Sequence, residues 1–198
     1  MPTGVAIRDP RRQLLEAADR VLRRDGPNAL TSRAVTSEAD CAKGVLHRHF
    51  TDFNVFLAEL VRDRIARLEH QAGALRDAAG TGTVAGNVAD ALFDLFDPVA
   101  LGVLGLVTSR HDLLARLRAT TPTGIPVLTE ATAMIVSYLA AERDLGRLAP
   151  DADVATVAPM LVGTGHLLFA GREPPPSRDE VRRAVTTALA GIAPEPTS

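Results

Sequence analysis

Cysteine, lysine and tryptophan are almost missing from this sequence of 198 residues, which has one cysteine, one lysine and no tryptophan. The single cysteine, Cys41, excludes an internal disulfide framework. No apolar run approaches the ~18 residues needed to cross a bilayer, and the run at 99–107 is among the longest. The N-terminal residues lack the apolar segment of a signal peptide. These absences predict a cytoplasmic protein with no membrane contact.

Charge is unevenly distributed along the chain. The whole sequence carries a formal net charge of −2, but residues 1–50 contain nine basic and six acidic side chains. A positive N-terminal part beside a more acidic remainder favours a nucleic-acid contact at that end. The same excess is also typical of a solvated helix face, so charge alone does not decide the function.

Apolar residues recur at helical spacing throughout, and no segment alternates with a period of two over strand length. The N-terminal pattern predicts helices at about residues 14–25, 31–39, 43–48 and 52–68. Beyond the Gly-Thr-Gly-Thr run at 80–83, the predicted helices lie at about 84–96, 99–107, 111–119, 128–139, 154–169 and 181–192. The last of these is preceded by an S-x-x-E capping box from Ser177 to Glu180. The sequence therefore predicts an all-α fold.

The second and third predicted helices are short and are separated by a tight turn, as in a helix-turn-helix that places one helix in a DNA major groove. Residues 31–50 read TSRAVTSEADCAKGVLHRHF. This segment resembles the signature of the TetR (tetracycline repressor-like) family of transcriptional regulators, with its Thr-initiated helix, A-G-V-S-type turn and G-x-L-Y-x-H-F-type recognition helix. The matching residues are Thr31, Val35, Ala39, Gly44, Leu46, His49 and Phe50.

The resemblance implies three parts with different roles. Residues 1–51 are expected to form a three-helix DNA-binding domain, residues 52–79 a connecting fourth helix, and residues 80–198 a helical domain for effector binding and dimerisation. Among the residues matched, Val35, Leu46 and Phe50 are apolar and are expected in the core.

A set of polar and small residues on the two short helices is predicted to contact DNA. Thr31 caps its helix and donates to a phosphate, and Lys43 is placed where it reaches a base edge or a phosphate. The alternative for Lys43 and Arg48 is a solvated surface charge. The resemblance implies phosphate contacts for His47 and His49. The predicted DNA-binding residues are Thr31, Ser32, Arg33, Ala42, Lys43, Gly44, Val45, His47, Arg48 and His49.

Four positions depart from the family pattern. Asp40 stands at the usual turn glycine and tolerates a left-handed backbone. Ala42 stands at the usual Ser cap, which Asp40 is expected to replace in part from the N-terminal end of the recognition helix. His47 replaces the usual Tyr and Phe53 the usual phosphate-binding Lys. We therefore expect modest DNA affinity. Cys41 is expected to act as a small buried hydrophobe and not as a thiol sensor.

The arginines that precede the first predicted helix permit two interpretations. They are Arg8, Arg11 and Arg12. They fit a flexible arm that reaches a minor groove, and they equally fit a solvated tail.

The resemblance implies a homodimer on a pseudo-palindromic operator in double-stranded DNA, and a repressor released by a small hydrophobic or aromatic effector. For both sets of residues below, the alternative is burial in the core of one chain. The predicted dimer residues are Val157, Leu161, Gly165, Leu168, Val181, Val185 and Leu189. The predicted effector-binding residues are Phe93, Phe96, Leu104, Met134, Tyr138, Met160 and His166.

No cofactor, metal site or catalytic constellation is predicted. His47 and His49 are two residues apart, so they point in different directions on a helix. Gly163-Thr164-Gly165 lacks the third glycine of a dinucleotide fingerprint and the lysine of a phosphate loop. The alternatives to a regulator are a helical small-molecule-binding protein or an enzyme without DNA binding. A further alternative is a regulator of this fold with no natural small ligand.

Overall fold

The computed structural model describes residues 9–194, which contain ten α-helices and no strand. The all-α prediction is therefore confirmed. Two short 3₁₀ turns lie at Pro27–Ala29 and Ala190–Ile192. The α-helices are α1 (Pro10–Asp25), α2 (Ser32–Glu38), α3 (Gly44–His49), α4 (Phe53–Asp77), α5 (Val84–Leu95), α6 (Pro98–Ser109), α7 (His111–Leu117), α8 (Leu128–Asp144), α9 (Val154–Phe169) and α10 (Arg178–Leu189).

Side-chain caps fix the beginnings of several helices. The Thr31 hydroxyl accepts from the Ala34 N–H at 3.1 Å, and an Asp52 carboxylate oxygen accepts from the Val55 N–H at 2.8 Å. At α10 the Ser177 N–H donates to Glu180 at 2.8 Å while the Glu180 N–H donates to the Ser177 hydroxyl at 3.3 Å. The predicted capping box is confirmed, and these bonds satisfy N–H groups that have no partner inside their helices.

The fourth helix is longer than predicted, since it continues past Leu68 to Asp77. Leu68 and Leu75 are both buried on the same side of this helix. No glycine or proline end signal appears near Leu68, and the helix runs on to the glycine-rich segment at 80–83. The apolar stripe thins out near residue 69, which is why periodicity placed the end of the helix too early.

Packing divides the chain into two compact units, of which the first comprises residues 1–63 and 98–122. Within it, α1 packs against α2, α3 and α6. The Phe50 and Phe56 rings meet edge to face with centroids 5.1 Å apart, and both are buried. Gly102 of α6 allows a close approach to α1, because a Cβ atom there would lie 3.1 Å from Leu22. The first unit therefore has its own apolar core beneath the two short helices.

The second unit comprises residues 64–97 and 123–198. Here α5 packs against α8 and α10, and α9 packs against both α8 and α10. Gly165 of α9 lies against the ring of Phe96, since a Cβ atom at this position would be 2.6 Å from the Phe96 Cε2 atom. The functional division at residues 51 and 79 remains a prediction.

Within the described residues, no single helix has both the length and the hydropathy of a membrane span; α5 and α6 meet that test only when taken together, across a bend.

Candidate DNA-binding face and effector region

The turn between α2 and α3 closes with two backbone hydrogen bonds. The Asp40 N–H donates to the Ser37 carbonyl at 3.1 Å, and the Cys41 N–H donates to the Thr36 carbonyl at 3.0 Å. Asp40 itself has φ of 48°, in the left-handed region. This is a Schellman motif, in which the left-handed position is usually glycine. Asp40 therefore preserves the turn although it replaces the glycine.

Side chains of α1 hold the end of α2 in place. The Arg20 and Arg24 guanidinium groups bind the two Glu38 carboxylate oxygens at 2.7 and 2.8 Å, and the Gln13 amide donates to the Ala39 carbonyl at 3.0 Å. Hydrogen bonds from Arg20 and then Arg24 lower the pKa of Glu38 below its usual range. These contacts were not predicted from the sequence. The available signal was a pair of arginines four residues apart on the first helix, with an acid at the end of the second.

Arg11 fixes the C-terminal end of α3, which is the other end of the helix-turn-helix. Its guanidinium donates to the His49 carbonyl at 3.2 Å and lies 4.5 Å from the centroid of the Phe50 ring. Arg12 pairs with Glu16 at 2.9 Å. Both arginines belong to α1, so the interpretation of them as a flexible arm is wrong, because Pro10 and the Asp9 cap start the helix before them. Arg8 lies outside the described residues.

The predicted DNA-binding residues lie together at α2, in the turn and at α3, and we refer to the surface that they form as the reading face. Val35, Leu46 and Phe50 are buried, as expected for residues that hold the helices together. Lys43 precedes α3 at its N-terminal end, where no side chain of the described residues makes a capping hydrogen bond. The exposed residues of the set are Thr31, Arg33, Ala42, Lys43, Gly44, His47 and Arg48, and the half-buried ones are Ser32, Val45 and His49.

The cations of this face differ from those of α1. Arg20 and Arg24 are engaged by Glu38. Arg33, Lys43 and Arg48 have no ion-pair partner among residues 9–194. Three exposed, unpaired cations beside a helix end are the arrangement that attracts DNA phosphates.

Cys41 is half-buried in the turn. Burial, followed by the charge of Asp40, raises the pKa of its thiol. A raised pKa keeps the sulfur protonated, and the protonated thiol is the unreactive form. The environment of Cys41 therefore favours a packing role.

Three of the predicted effector-binding residues meet in one aromatic cluster of the second unit. The Phe96 ring lies 5.8 Å from the His166 ring and 5.8 Å from the Phe169 ring, and Phe93 meets Phe169 at 5.1 Å. The Nδ1 atom of His166 is buried without a hydrogen-bond partner. Phe169 was not predicted, although it stands three residues after His166.

Tyr138 is fully buried and its hydroxyl is already used inside the chain. It donates to Glu142 at 2.5 Å and accepts from the Asn87 amide at 2.8 Å. Glu142 is also fully buried, and it accepts from the Gly80 N–H at 3.3 Å and lies 3.4 Å from the Arg147 guanidinium. Burial, and then the bond to Glu142, raises the pKa of Tyr138.

The remaining three predicted effector residues lie apart. Leu104 is buried in the first unit, whereas Met160 is 56% exposed on α9. Met134 lines a groove of about 230 Å³ on the second unit. The complete lining of this α4–α5 groove is Gln71, Ala74, Leu75, Ala78, Asn87, Asp90, Ala91, Asp94 and Met134.

Most of the predicted dimer residues are already in contact within the chain. Val157 and Leu168 are half-buried. The buried ones are Leu161, Gly165, Val181, Val185 and Leu189. The other side of α9 is exposed and apolar, with Met160 at 56% and Leu167 at 78% exposure and with Gly163 between them. We refer to these three residues as the exposed α9 face.

No group of three or more His, Cys, Asp or Glu side chains suited to a metal ion occurs within the described part of the chain.

The fold and the exposed reading face define a helical protein of the helix-turn-helix class. Residues 14–59 match the family model described as bacterial regulatory proteins, tetR family. This match to the N-terminal segment confirms the resemblance seen in the sequence.

Solved structures of the same fold cover nearly the whole chain. A putative TetR-family transcriptional regulator from Mesorhizobium loti is 18% identical, with 93% of this chain and 96% of that chain covered and a TM-score of 0.69. Reduced NemR from E. coli is 13% identical, with 96% and 100% covered and a TM-score of 0.74.

SmeT, the repressor of a multidrug efflux pump of Stenotrophomonas maltophilia, is 17% identical, with 95% of this chain and 92% of that chain covered and a TM-score of 0.64. At such identities the likeness is one of fold alone. No curated protein matches the chain.

Proposed function

We propose that this chain is a homodimeric, sequence-specific DNA-binding regulator of the cytoplasm, acting as a repressor that a small effector releases. The observation that carries the proposal is the set of exposed, unpaired cations Arg33, Lys43 and Arg48, on a helix-turn-helix whose two ends are fixed by α1. Unpaired cations on a rigid frame retain their charge for DNA, and a fixed frame sets the register of the contacts.

Binding to the upstream region of the protein's own gene tests the proposal. Lys43→Ala removes one contact from the start of α3 and is expected to weaken binding by about tenfold, within the roughly 1–3 kcal/mol range of a base-reading side chain. Arg12→Ala is the matched control, because Arg12 is exposed and its guanidinium pairs with Glu16 alone among residues 9–194. A gel shift with no specific complex, or equal affinity for both variants, would contradict the assignment of the reading face.

The departures from the family pattern predict a shallow dependence of binding on salt. Ala42, His47 and Phe53 replace residues of the usual phosphate-contacting set, and Asp40 adds a negative charge at the exposed turn. Each lost phosphate contact reduces the release of counterions. We expect the slope of log K against log salt to be less steep than about −8. A slope of that size or beyond would contradict this expectation.

The exposed α9 face supports the proposed dimer. This face is an apolar strip of Met160, Gly163 and Leu167 that no described residue covers, and the glycine at its centre permits close approach of a second helix. The occupant that we assign to it is a second copy of the chain, and the resulting dimer would place two helix-turn-helix units on a pseudo-palindromic operator. Leu167→Glu is expected to give a monomer in sedimentation velocity. A wild-type monomer at micromolar concentration would contradict the dimer.

The role of α4 supports release by an effector. This helix runs without interruption from Phe53 to Asp77 and so contributes residues to both compact units. A ligand that binds one arrangement of the helix better than another shifts DNA binding by that difference in affinity. SmeT is itself a repressor, and its fold likeness is the reason why repression is preferred here over activation.

A further inference from the structure

The α4–α5 groove is formed by two helical faces and one side chain of a third helix. The groove residues at positions 71, 74 and 75 belong to α4, and residue 78 directly follows that helix, whereas those at 87, 90, 91 and 94 belong to α5. Both sets have the spacing of a single helical face. Met134 of α8 completes the lining. The alanines, Leu75 and Met134 make most of its lining apolar, and only Gln71, Asn87, Asp90 and Asp94 are polar.

The two carboxylates of the groove are in different electrostatic situations. Asp90 is paired with Arg178 at 2.6 Å, and the Arg178 guanidinium also lies 4.7 Å from the centroid of the Phe93 ring. Asp94 has no side-chain partner among the described residues. Arg64 donates to the main-chain carbonyl of Asp94 but pairs its charge with Asp97 at 3.0 Å.

The cation of α4 nearest in sequence to the groove residues is also engaged elsewhere. Arg76 follows Leu75 but donates to the hydroxyl of Ser137. Neither Arg64 nor Arg76 therefore neutralises the charge of the Asp94 carboxylate. An apolar groove with one uncompensated carboxylate is complementary to a ligand that is apolar and positively charged.

We propose that the α4–α5 groove binds a small organic cation with an apolar body, and that this cation is the effector. The inference deepens the proposed function and rests on it. The volume of about 230 Å³ lies below the roughly 300–1,000 Å³ of drug-sized sites, so the ligand is small.

The binding site is tested directly with benzyltrimethylammonium, an aromatic cation of suitable size, on the full chain. The sequence contains only three methionines, Met1, Met134 and Met160. With ¹³C-methyl methionine, the aromatic ring is expected to shift the Met134 signal on titration and to leave the Met160 signal in place. Met160→Leu assigns the second signal. A shift of Met160 alone, or no shift at millimolar ligand, would overturn the site.

The charge requirement is tested with two variants and one neutral ligand. Asp94→Asn is expected to weaken binding of the cation by about five- to tenfold. Asp77→Asn removes an exposed carboxylate outside the groove that has no partner in the described part of the chain, and it is expected to leave binding unchanged. Neopentylbenzene, which has carbon in place of the ammonium nitrogen, is expected to bind more weakly than the cation to the wild type. Equal affinity of the two ligands, or of the Asp94 variant, would overturn the cation assignment.

The two proposals fail in distinguishable ways. DNA binding by the free protein, measured by gel shift, does not depend on the groove. A protein that binds its upstream DNA but not the cation contradicts the groove proposal alone. A protein that binds the cation but no DNA contradicts the regulatory function and leaves the groove as a binding site without that role.

Discussion

Glu38 in the first unit and Glu142 in the second each tie one segment of the chain to another, but they do so in opposite surroundings. Glu38 lies at the surface, where Arg20 and Arg24 bind it. Glu142 is fully buried and receives the Tyr138 hydroxyl and the Gly80 N–H. The first unit thus keeps its ion pairs outside an apolar core, whereas the second places a polar network inside.

Because of this difference, the loss of one residue from the network is expected to cost more stability in the second unit than in the first. A surface network can lose one member because water replaces it. A buried network depends on each partner, since an unpaired polar group in the interior is costly. Asn87 belongs both to the buried network and to the lining of the α4–α5 groove. In the second unit, one residue therefore connects the lining of a candidate binding site to the buried hydrogen-bond network.

Removal of the buried carboxylate of the second unit is expected to change the free energy of unfolding most. Glu142→Ala removes the acceptor of the Tyr138 hydroxyl and the Gly80 N–H, and is expected to lower the free energy of unfolding by about 3 kcal/mol. Glu38→Ala, in the exposed network, is expected to cost much less. Urea denaturation of both variants measures the two effects. Equal losses would mean that burial does not separate the two networks.

A smaller effect distinguishes the two faces of α9. Gly165→Ala places a Cβ atom 2.6 Å from the Phe96 ring and is expected to destabilise the fold by roughly 1–3 kcal/mol, the cost of overpacking. Gly163→Ala is the matched control on the same helix, with both variants made in the Leu167→Glu background so that the proposed dimer contact is absent. Its Cβ atom meets nothing within 4 Å in the single chain, and a helical alanine is favoured over glycine by about 1 kcal/mol. Thermal melts that rank the two variants in the reverse order would contradict the assignment of the faces.

The smallest effect concerns a surface carboxylate of the second unit. The Ser177 N–H, then the Ser177 hydroxyl and Arg172, lower the pKa of Glu180 from 4.5 to about 2. A lowered folded-state pKa stabilises the fold above the unfolded value, and this contribution is lost as pH falls from about 4.5 towards 2. Glu180→Gln is therefore expected to melt below the wild type at pH 6, with the difference vanishing near pH 2. Glu69 is an exposed acid without a partner among the residues that the structure describes, so Glu69→Gln should show no such trend.

Local signals were sufficient for much of the fold. The Thr31 cap, the Ser177 capping box and the left-handed Asp40 each depend on residues within a few positions in sequence, so the sequence alone predicted them. The helix at 154–169 has the predicted bounds for the same reason, since Asp153 caps its start. The prediction of the reading face followed from the resemblance of residues 31–50. The contacts from Arg11, Arg20 and Arg24 that hold this segment were missed because they join residues 14 to 38 positions apart.

The effector region was not predictable in the same way. Helical periodicity showed that α9 has apolar residues on more than one side, but not that Leu161 is covered while Leu167 is exposed. That choice is made by the packing of α9 against α8 and α10, which the periodicity of α9 itself does not reveal. The groove residues Gln71, Asn87 and Asp94 were missed because they are polar and belong to two helices whose pairing no local pattern reveals.

Lys43 is the one lysine of the chain, and it is exposed at the start of α3. Apart from the chain terminus, an amine-reactive ester can therefore acylate the protein at a single position. Peptide mass spectrometry of the acylated fraction would report occupancy of that end without any engineered label. DNA lying over it would protect the amine, so a footprint of the complex can be read from the unmodified protein.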